Sequence, residues 1–345
     1  MIRFRSLRSR WSLCFALFSG ALLPCLGNAA PAITAEQLDE FVGEMERKHQ
    51  FDPGPLKVLL KGAELKERIL KAIASPAEAK PWHAYRPIFV TRSRIKEGAE
   101  FWDNNDAALQ RASEKYGVAP EIIVAIIGVE TRYGRHKGGF RVLDSLATLA
   151  FNYPKRSKFF RSELEHFLLL AREENLDPLH PKGSYAGAMG HPQFISSSYR
   201  RYAIDFDNDG FRDLWNNDTD AIGSVANYFA RHGWKRGAPI TRKAEIDGKA
   251  YKTVLSKSPK TNRTAGELRG HGVRFDAELD DVLAATLFEL ETKSAPEHWV
   301  GFKNFYVITR YNHSILYAMA VYQLSCEILA LRNETTQARL KEPVR

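Results

Sequence analysis

The chain has 345 residues, enough for a sizeable core shared by two or three subdomains, and its 50 Lys and Arg against 41 Asp and Glu give a formal net charge of +9. The basic excess suggests an anionic polymer or surface as partner, but no nucleic-acid reading motif accompanies it, so nucleic acid is set aside. No His-Glu-x-x-His pair, Cys/His cluster, Gly-x-Ser-x-Gly elbow or Gly-rich phosphate loop occurs, which removes support for zinc, serine-hydrolase and nucleotide chemistry.

Residues 1–29 read as an export signal. Arg3, Arg5, Arg8 and Arg10 form a basic start, residues 11–23 are apolar but too short to span a bilayer, and Gly27-Asn28-Ala29 suits a cleavage site. Cys25 follows Pro24, a poor context for lipidation, so an outer-membrane lipid anchor at Cys25 is the disfavoured alternative. Loss of four arginines and no acid lowers the net charge from +9 to +5. Cys14 and Cys25 fall in or near the signal, which leaves Cys326 with no partner for an internal disulfide.

Residues 35–74 carry Leu38, Phe41, Val42, Met45, Leu56, Leu59 and Leu60 at helical spacing, and Pro53-Gly54-Pro55 divides them into two predicted helices. Residues 76–87 read as a loop carrying Trp82 and Tyr85, and residues 95–116 as one helix. The next helix is the most informative. Pro120 suits its first position, Glu121 its positive end, and Gly134 the residue just past its end. Between them runs Ile122-Ile123-Val124-Ala125-Ile126-Ile127, apolar on every side and so a core helix, and it closes on Glu130. Burial and the negative helix end both favour a protonated carboxyl, and such a group can act as a general acid for cleaving a glycosidic bond. Arg132 and Arg135 are the opposing candidates: pairing with either makes Glu130 a structural ion-pair residue instead.

Residues 157–174 read as a helix with one apolar side. Residues 184–199 are Gly-rich, which allows close approach to another helix or to an extended ligand. Asp205, Asp207 and Asp209, with Gly210, repeat the first half of an EF-hand loop. The second half departs, with Asn216 where a Glu belongs, Asp213 at the ninth place and Asp220 as the next carboxylate; a hydrated Asx turn is the alternative. Residues 221–232 read as a helix ended by Gly233. Short β-prone runs over 241–308 suggest a small β subdomain, and residues 314–332 a closing helix. Tyr311-Asn312-His313-Ser314 precedes it; on these residues alone, helix capping is preferred to sugar binding.

In order, Val129-Glu130-Thr131-Arg132-Tyr133-Gly134, the segment 184–194, the loop 205–215, Asp220-Ala221-Ile222-Gly223-Ser224-Val225-Ala226-Asn227-Tyr228 and Arg310-Tyr311-Asn312-His313-Ser314 resemble the lytic murein transglycosylase B family over about 35–330. The resemblance implies a mainly α fold with a small β subdomain and a lysozyme-like catalytic core. The expected layout is a helical region over 30–94, the core with its calcium loop over 95–238, the β subdomain over 239–308, and a C-terminal helix returning to the core over 309–345. It also implies a periplasmic enzyme that cuts the β-1,4 bond between N-acetylmuramic acid and N-acetylglucosamine in peptidoglycan and leaves a 1,6-anhydro end. Glu130 then acts as acid and next as base. Ser184, Gln193, Tyr228, Tyr311, Asn312 and Tyr317, with Tyr85 and Arg156, are implied to line the glycan groove. Asp205, Asp207, Asp209 and Asp220, with the Phe211 carbonyl, are implied to hold one structural Ca²⁺; no organic cofactor is expected. Glycan strands are the expected partner, cell-wall synthases a further candidate, and a monomer the expected state. Two departures stand out: Ile195-Ser196-Ser197-Ser198 replaces the family's Met-Pro-Ser-Ser, and no separate wall-binding module of the kind some relatives carry is expected after the core. The rivals are a lysozyme-type hydrolase, with Asp144, Glu163 or Glu165 as second carboxylate, a non-catalytic wall-binding protein, and a calcium switch.

Overall fold

The computed structural model describes residues 32–74 and 80–341, with side chains to residue 335. The export signal, Cys14 and Cys25 lie outside the described residues. Helices α1 (Ala35–His49), α2 (Pro53–Lys61) and α3 (Glu67–Ala74) come first, one more than expected, because the chain breaks a second time after Gly62. Residues 82–89 are not a loop: α4 (Trp82–Phe89) places Trp82, Tyr85 and Phe89 at helical spacing into the core, and that burial outweighs the proline at 87. The expected helix over 95–116 is two, α5 (Arg92–Asn104) and α6 (Asp106–Tyr116), broken where the Asn105 side chain donates to the Phe101 carbonyl at 3.0 Å. Helix α7 (Pro120–Thr131) is buried over ten consecutive residues, Ile122 to Thr131.

A short antiparallel pair, β1 (Phe140–Arg141) and β2 (Lys182–Gly183), brackets α8 (Val142–Asn152) and α9 (Ser157–Glu173); no element was expected at this pair or at α8, although α8 is an apolar run. Helices α10 (Ser196–Tyr202) and α11 (Asp218–Arg231) follow. An antiparallel sheet then forms in the order β4-β6-β7-β3-β5 from β3 (Thr241–Ile246), β4 (Arg263–Thr264), β5 (Val273–Arg274), β6 (Ala284–Leu290) and β7 (Glu297–Phe302), with α12 (Ala265–Gly270) packed beside it. The β-prone run expected to 308 stops at Phe302; Phe305, Val307 and Ile308 belong to α13 (Lys303–Tyr311), since a short apolar run does not distinguish strand from helix. Helix α14 (Ile315–Lys341) ends the described chain.

Three apolar clusters organise these elements. One surrounds α7 with side chains of α4, α5, α6, α13 and α14. A second joins α8 and α9 to α1, α2 and α3. The third lies on one face of the sheet, with Leu287 and Val300 paired across β6 and β7. The other face of β6 packs into the first cluster, where the Phe288 ring stacks on Phe305 at 4.9 Å. Tyr311 packs against both helical clusters, so their seam passes beside it.

Close packing around α7 depends on glycine. A Cβ on Gly128 would lie 2.5 Å from the Tyr133 hydroxyl and 2.6 Å from its ring carbon. Gly128→Ala should therefore lower the unfolding free energy by about 1–3 kcal/mol despite alanine's better helix propensity. Urea denaturation checks this; an unchanged midpoint would show that the ring yields freely.

Candidate active site

Helix α7 ends earlier than Gly134. Arg132, Tyr133 and Gly134 all take left-handed backbone conformations, with φ of 51°, 58° and 81°, and Arg132 is the cap. Gly134 is required for another reason: a Cβ there would collide with the His191 ring. The sharp turn carries both arginines away from Glu130. Arg132 grips Glu97 through two bonds of 2.7 Å, and Arg135 joins it at 2.9 Å. The ion-pair reading of Glu130 therefore fails.

Glu130 is 7 % exposed, and its Oε1 accepts a 2.6 Å hydrogen bond from the Tyr317 hydroxyl. Burial raises its pKa from 4.5 to about 7, while the Tyr317 bond pulls it down. Tyr317 and Tyr311 are pushed well above the ordinary phenol range, first by burial and then by Glu130, so both remain hydroxyl donors. The Tyr311 hydroxyl donates to the Pro192 carbonyl and that of Tyr228 to the Arg310 carbonyl, each at 2.6 Å. These two rings meet edge to face at 4.8 Å, with Phe194 beside both.

A cavity of about 380 Å³ opens over Glu130. Of the residues expected at a glycan groove, Arg156, Gln193, Tyr228, Tyr311 and Asn312 line it, and Tyr317 reaches it through Glu130. Ser184 does not: its hydroxyl accepts from the Ala186 and Ala188 amides and shapes the Gly-rich segment. Tyr85 is also off the wall, buried between Trp82 and Phe89. Gln193 is fixed by bonds from its amide to the carbonyls of Gly190 (2.9 Å) and Lys137 (3.2 Å). The Arg156 guanidinium rests on the Phe159 ring at 4.1 Å. Sequence reasoning did not assign Phe159, Phe194, Ile195, Ser198, Arg310 or His313, which complete the lining. Phe194, Arg310 and His313 lay inside the quoted motifs; Phe159 was read as part of an apolar helix side.

Glu130 is the only acid among the lining residues. The three nearby carboxylates are engaged elsewhere. Asp144 is held by Arg141, Glu163 accepts from the Ser197 amide and hydroxyl at the start of α10, and Glu165 meets His49 at 2.7 Å. Glu163 thus supports the start of α10, where the family's proline is missing. A wider apolar hollow of about 470 Å³, lined by Phe211 and Trp215, lies at the other end of α9 and holds none of the Glu130 cluster.

In the loop that resembles an EF-hand, carboxylate oxygens of Asp205, Asp207 and Asp209 lie within 4.8 Å of one another. Asp205 accepts the amides of Asn208, Asp209 and Gly210, which folds the loop tightly. Asp213 instead caps Trp215 and Asn216. Both oxygens of buried Asp220 accept amides, from Phe206 at 2.7 Å and Asp213 at 2.8 Å, and so tie the two ends of the loop. Burial raises the Asp220 pKa to about 6.

A helical cleft around one buried, tyrosine-bonded acid is thus the site this fold builds. The family profile described as the transglycosylase SLT domain matches residues 34–326. The membrane-bound lytic murein transglycosylase B of Escherichia coli (strain K12) is 45 % identical over 303 residues, 85 % of this chain and 82 % of that protein. The soluble lytic transglycosylase SltB1 of Pseudomonas aeruginosa superposes with a TM-score of 0.83 at 50 % identity, covering 86 % of this chain and 99 % of that one. The Escherichia coli lytic transglycosylase Slt35, solved in complex with calcium, gives 0.79 at 45 % identity over 86 % and 93 %. The chain belongs to the transglycosylase SLT family: it is a lytic transglycosylase with a lysozyme-like fold, acting on peptidoglycan.

The raised acid has a consequence for stability. Between the ordinary value of 4.5 and about 7 the folded chain binds the extra proton, so the cost of burying Glu130 is absent below this window and complete above it. Glu130→Gln should raise the unfolding free energy by up to about 3 kcal/mol near pH 8 and by little near pH 4. Urea denaturation at the two pH values measures the difference; equal effects would mean that Glu130 titrates normally.

Proposed function

We propose that this enzyme cleaves the β-1,4 bond between N-acetylmuramic acid and N-acetylglucosamine and closes a 1,6-anhydro ring, with Glu130 as the one acid and then the one base. The single acid lining the cavity carries this reading. Common hydrolases need a second carboxylate to activate water or attack the sugar. Here the attacking group is the sugar's own 6-hydroxyl, already tethered near C1, which avoids most of the entropic cost of capturing water.

Glu130 gives its proton to the glycosidic oxygen as the C1–O bond breaks. The muramic acid acetamido group shields the electron-poor C1, then O6 bonds to C1 and its proton passes to the Glu130 carboxylate. A pKa of about 7 suits both roles, because neither protonation state is costly near neutral pH. Tyr317 orients the carboxyl. Gln193, Tyr228, Tyr311, Asn312 and Arg156 form the wall that receives the sugars. Ser184 and Tyr85 act one layer behind it.

We further infer that Asp205, Asp207 and Asp209, with the Phe211 carbonyl, hold one Ca²⁺, which offsets most of the repulsion among three clustered carboxylates; Asp220 holds the loop backbone beneath them. The ion's part is structural. In the same reading residues 1–29 direct export to the periplasm, and the helical region, core, β subdomain and final helix keep their expected order, with the last strand ending at Phe302.

Glu130→Gln should lower turnover at least about 10³-fold while the chain still folds. Mass spectrometry of products released from sacculi checks both parts. Anhydro ends from the native chain alone agree with the proposal; products heavier by one water would move the enzyme to the hydrolases. Chelation should lower the melting temperature, and calcium at a hundredfold excess over Kd should add about 2.7 kcal/mol. Asp205→Asn should remove that response. A melting temperature indifferent to chelator in the native chain would leave the loop without its ion.

A further inference from the structure

The sheet subdomain carries nine cations between Thr241 and Phe275, and they fall into two sets. Arg242, Lys243, Arg269 and Arg274 are each paired with an acid. Lys249, Lys252, Lys257, Lys260 and Arg263 are exposed, and none is in an ion pair among the described residues. No Asp or Glu occurs from Gly248 to Gly266.

All five lie on or at the end of the connection from β3 to β4. These strands are fourth and first in the sheet order, so the connection crosses the sheet. It crosses with its apolar side chains turned inward: Val254 is buried in the sheet cluster, and Tyr251 and Leu255 pack against it. Its backbone is pinned as well, since the Ser256 amide donates to the Leu287 carbonyl at 2.8 Å and Leu255 bridges to Leu287. The cations are left facing solvent on a fixed segment. Like charges held together in this way repel one another, and an arriving array of anions relieves that repulsion.

We propose that this stripe is an accessory docking surface for the carboxylate-bearing stem peptides of peptidoglycan, holding the polymer outside the cavity while Glu130 acts within it. The proposal rests on the peptidoglycan reading of the active site. A polymer with repeated carboxylates engages several cations at once, so weak single contacts add up to firm retention. A bilayer fits less well, because membrane-surface segments insert apolar side chains and those of this segment are committed to the sheet.

The test uses the mature chain carrying Glu130→Gln, which holds sacculi without cutting them. Its co-sedimentation is compared with that of the same chain also carrying Lys249→Gln, Lys252→Gln, Lys257→Gln, Lys260→Gln and Arg263→Gln. Retention should fall about tenfold at low salt, and its salt dependence should flatten. Sacculi stripped of stem peptides should hold both chains equally. Full retention by the neutralised chain overturns the proposal, as does parent-chain binding that ignores salt from about 20 to 300 mM, a test needing none of the five substitutions. Loss of binding to phosphatidylglycerol-containing vesicles, with sacculus binding intact, would assign the stripe to a membrane and also overturn it. With Glu130 restored, the five substitutions should leave turnover of short soluble glycan fragments unchanged. A failure of the active-site reading looks different: the chains with Glu130 restored release no anhydro products, yet the difference in retention between the two Glu130→Gln chains persists.

Discussion

The carboxyl of Glu130 is held in an apolar surrounding with one phenol as its hydrogen-bond partner, and the rest of the site follows from keeping it so. A cation beside it would lower its pKa and favour the charged carboxylate. The two arginines nearest in the chain are turned to another partner. The left-handed turn at Arg132 sends that guanidinium and Arg135 to Glu97. The competing acids are drawn to Arg141, to the start of α10 and to His49. These pairs add little stability where they are exposed, but they leave Glu130 outside any ion pair among the described residues.

The cavity exists because two helical clusters meet without merging. Helix α7 belongs to one and α9 to the other, and Tyr311 packs against both. The wall of this seam is rigid because its phenols are fixed by backbone carbonyls, Tyr228 by Arg310 and Tyr311 by Pro192. The loop of aspartates is tied to the same seam. The His191 amide donates to the Leu214 carbonyl at the end of that loop, and its own carbonyl accepts the hydroxyl of Thr131, the residue after Glu130. A segment that orders one end of this chain of bonds therefore bears on the position of the acid. Glycines at 134 and 190 allow the required closeness, since a Cβ at either would meet His191 or the Leu214 backbone.

The sheet contributes nothing to the cavity lining. It buries one face in its own cluster and the other against the helices, so its edges and crossing connection are what it offers to solvent. That division leaves chemistry with the helices and an exposed, strongly charged surface with the sheet.

By itself the sequence determined the acid, the apolar helix that buries it, the aspartate loop and the order of the motifs. Each of these is local: an unbroken apolar run ending in Glu130, or Asp at alternating positions before Gly210, states its physical reason within a dozen residues. Only the tertiary structure decided how those pieces share partners. That Arg132 turns to Glu97, that Tyr317 is the donor to Glu130, that Ser184 and Tyr85 stand behind the wall, and that Arg310 and His313 stand in it, all depend on contacts between residues far apart in the chain. The misread elements have the same origin. Residues 82–89 became a helix despite Pro87, and residues 303–311 a helix despite their β-prone composition, because burial against other elements outweighed local preference.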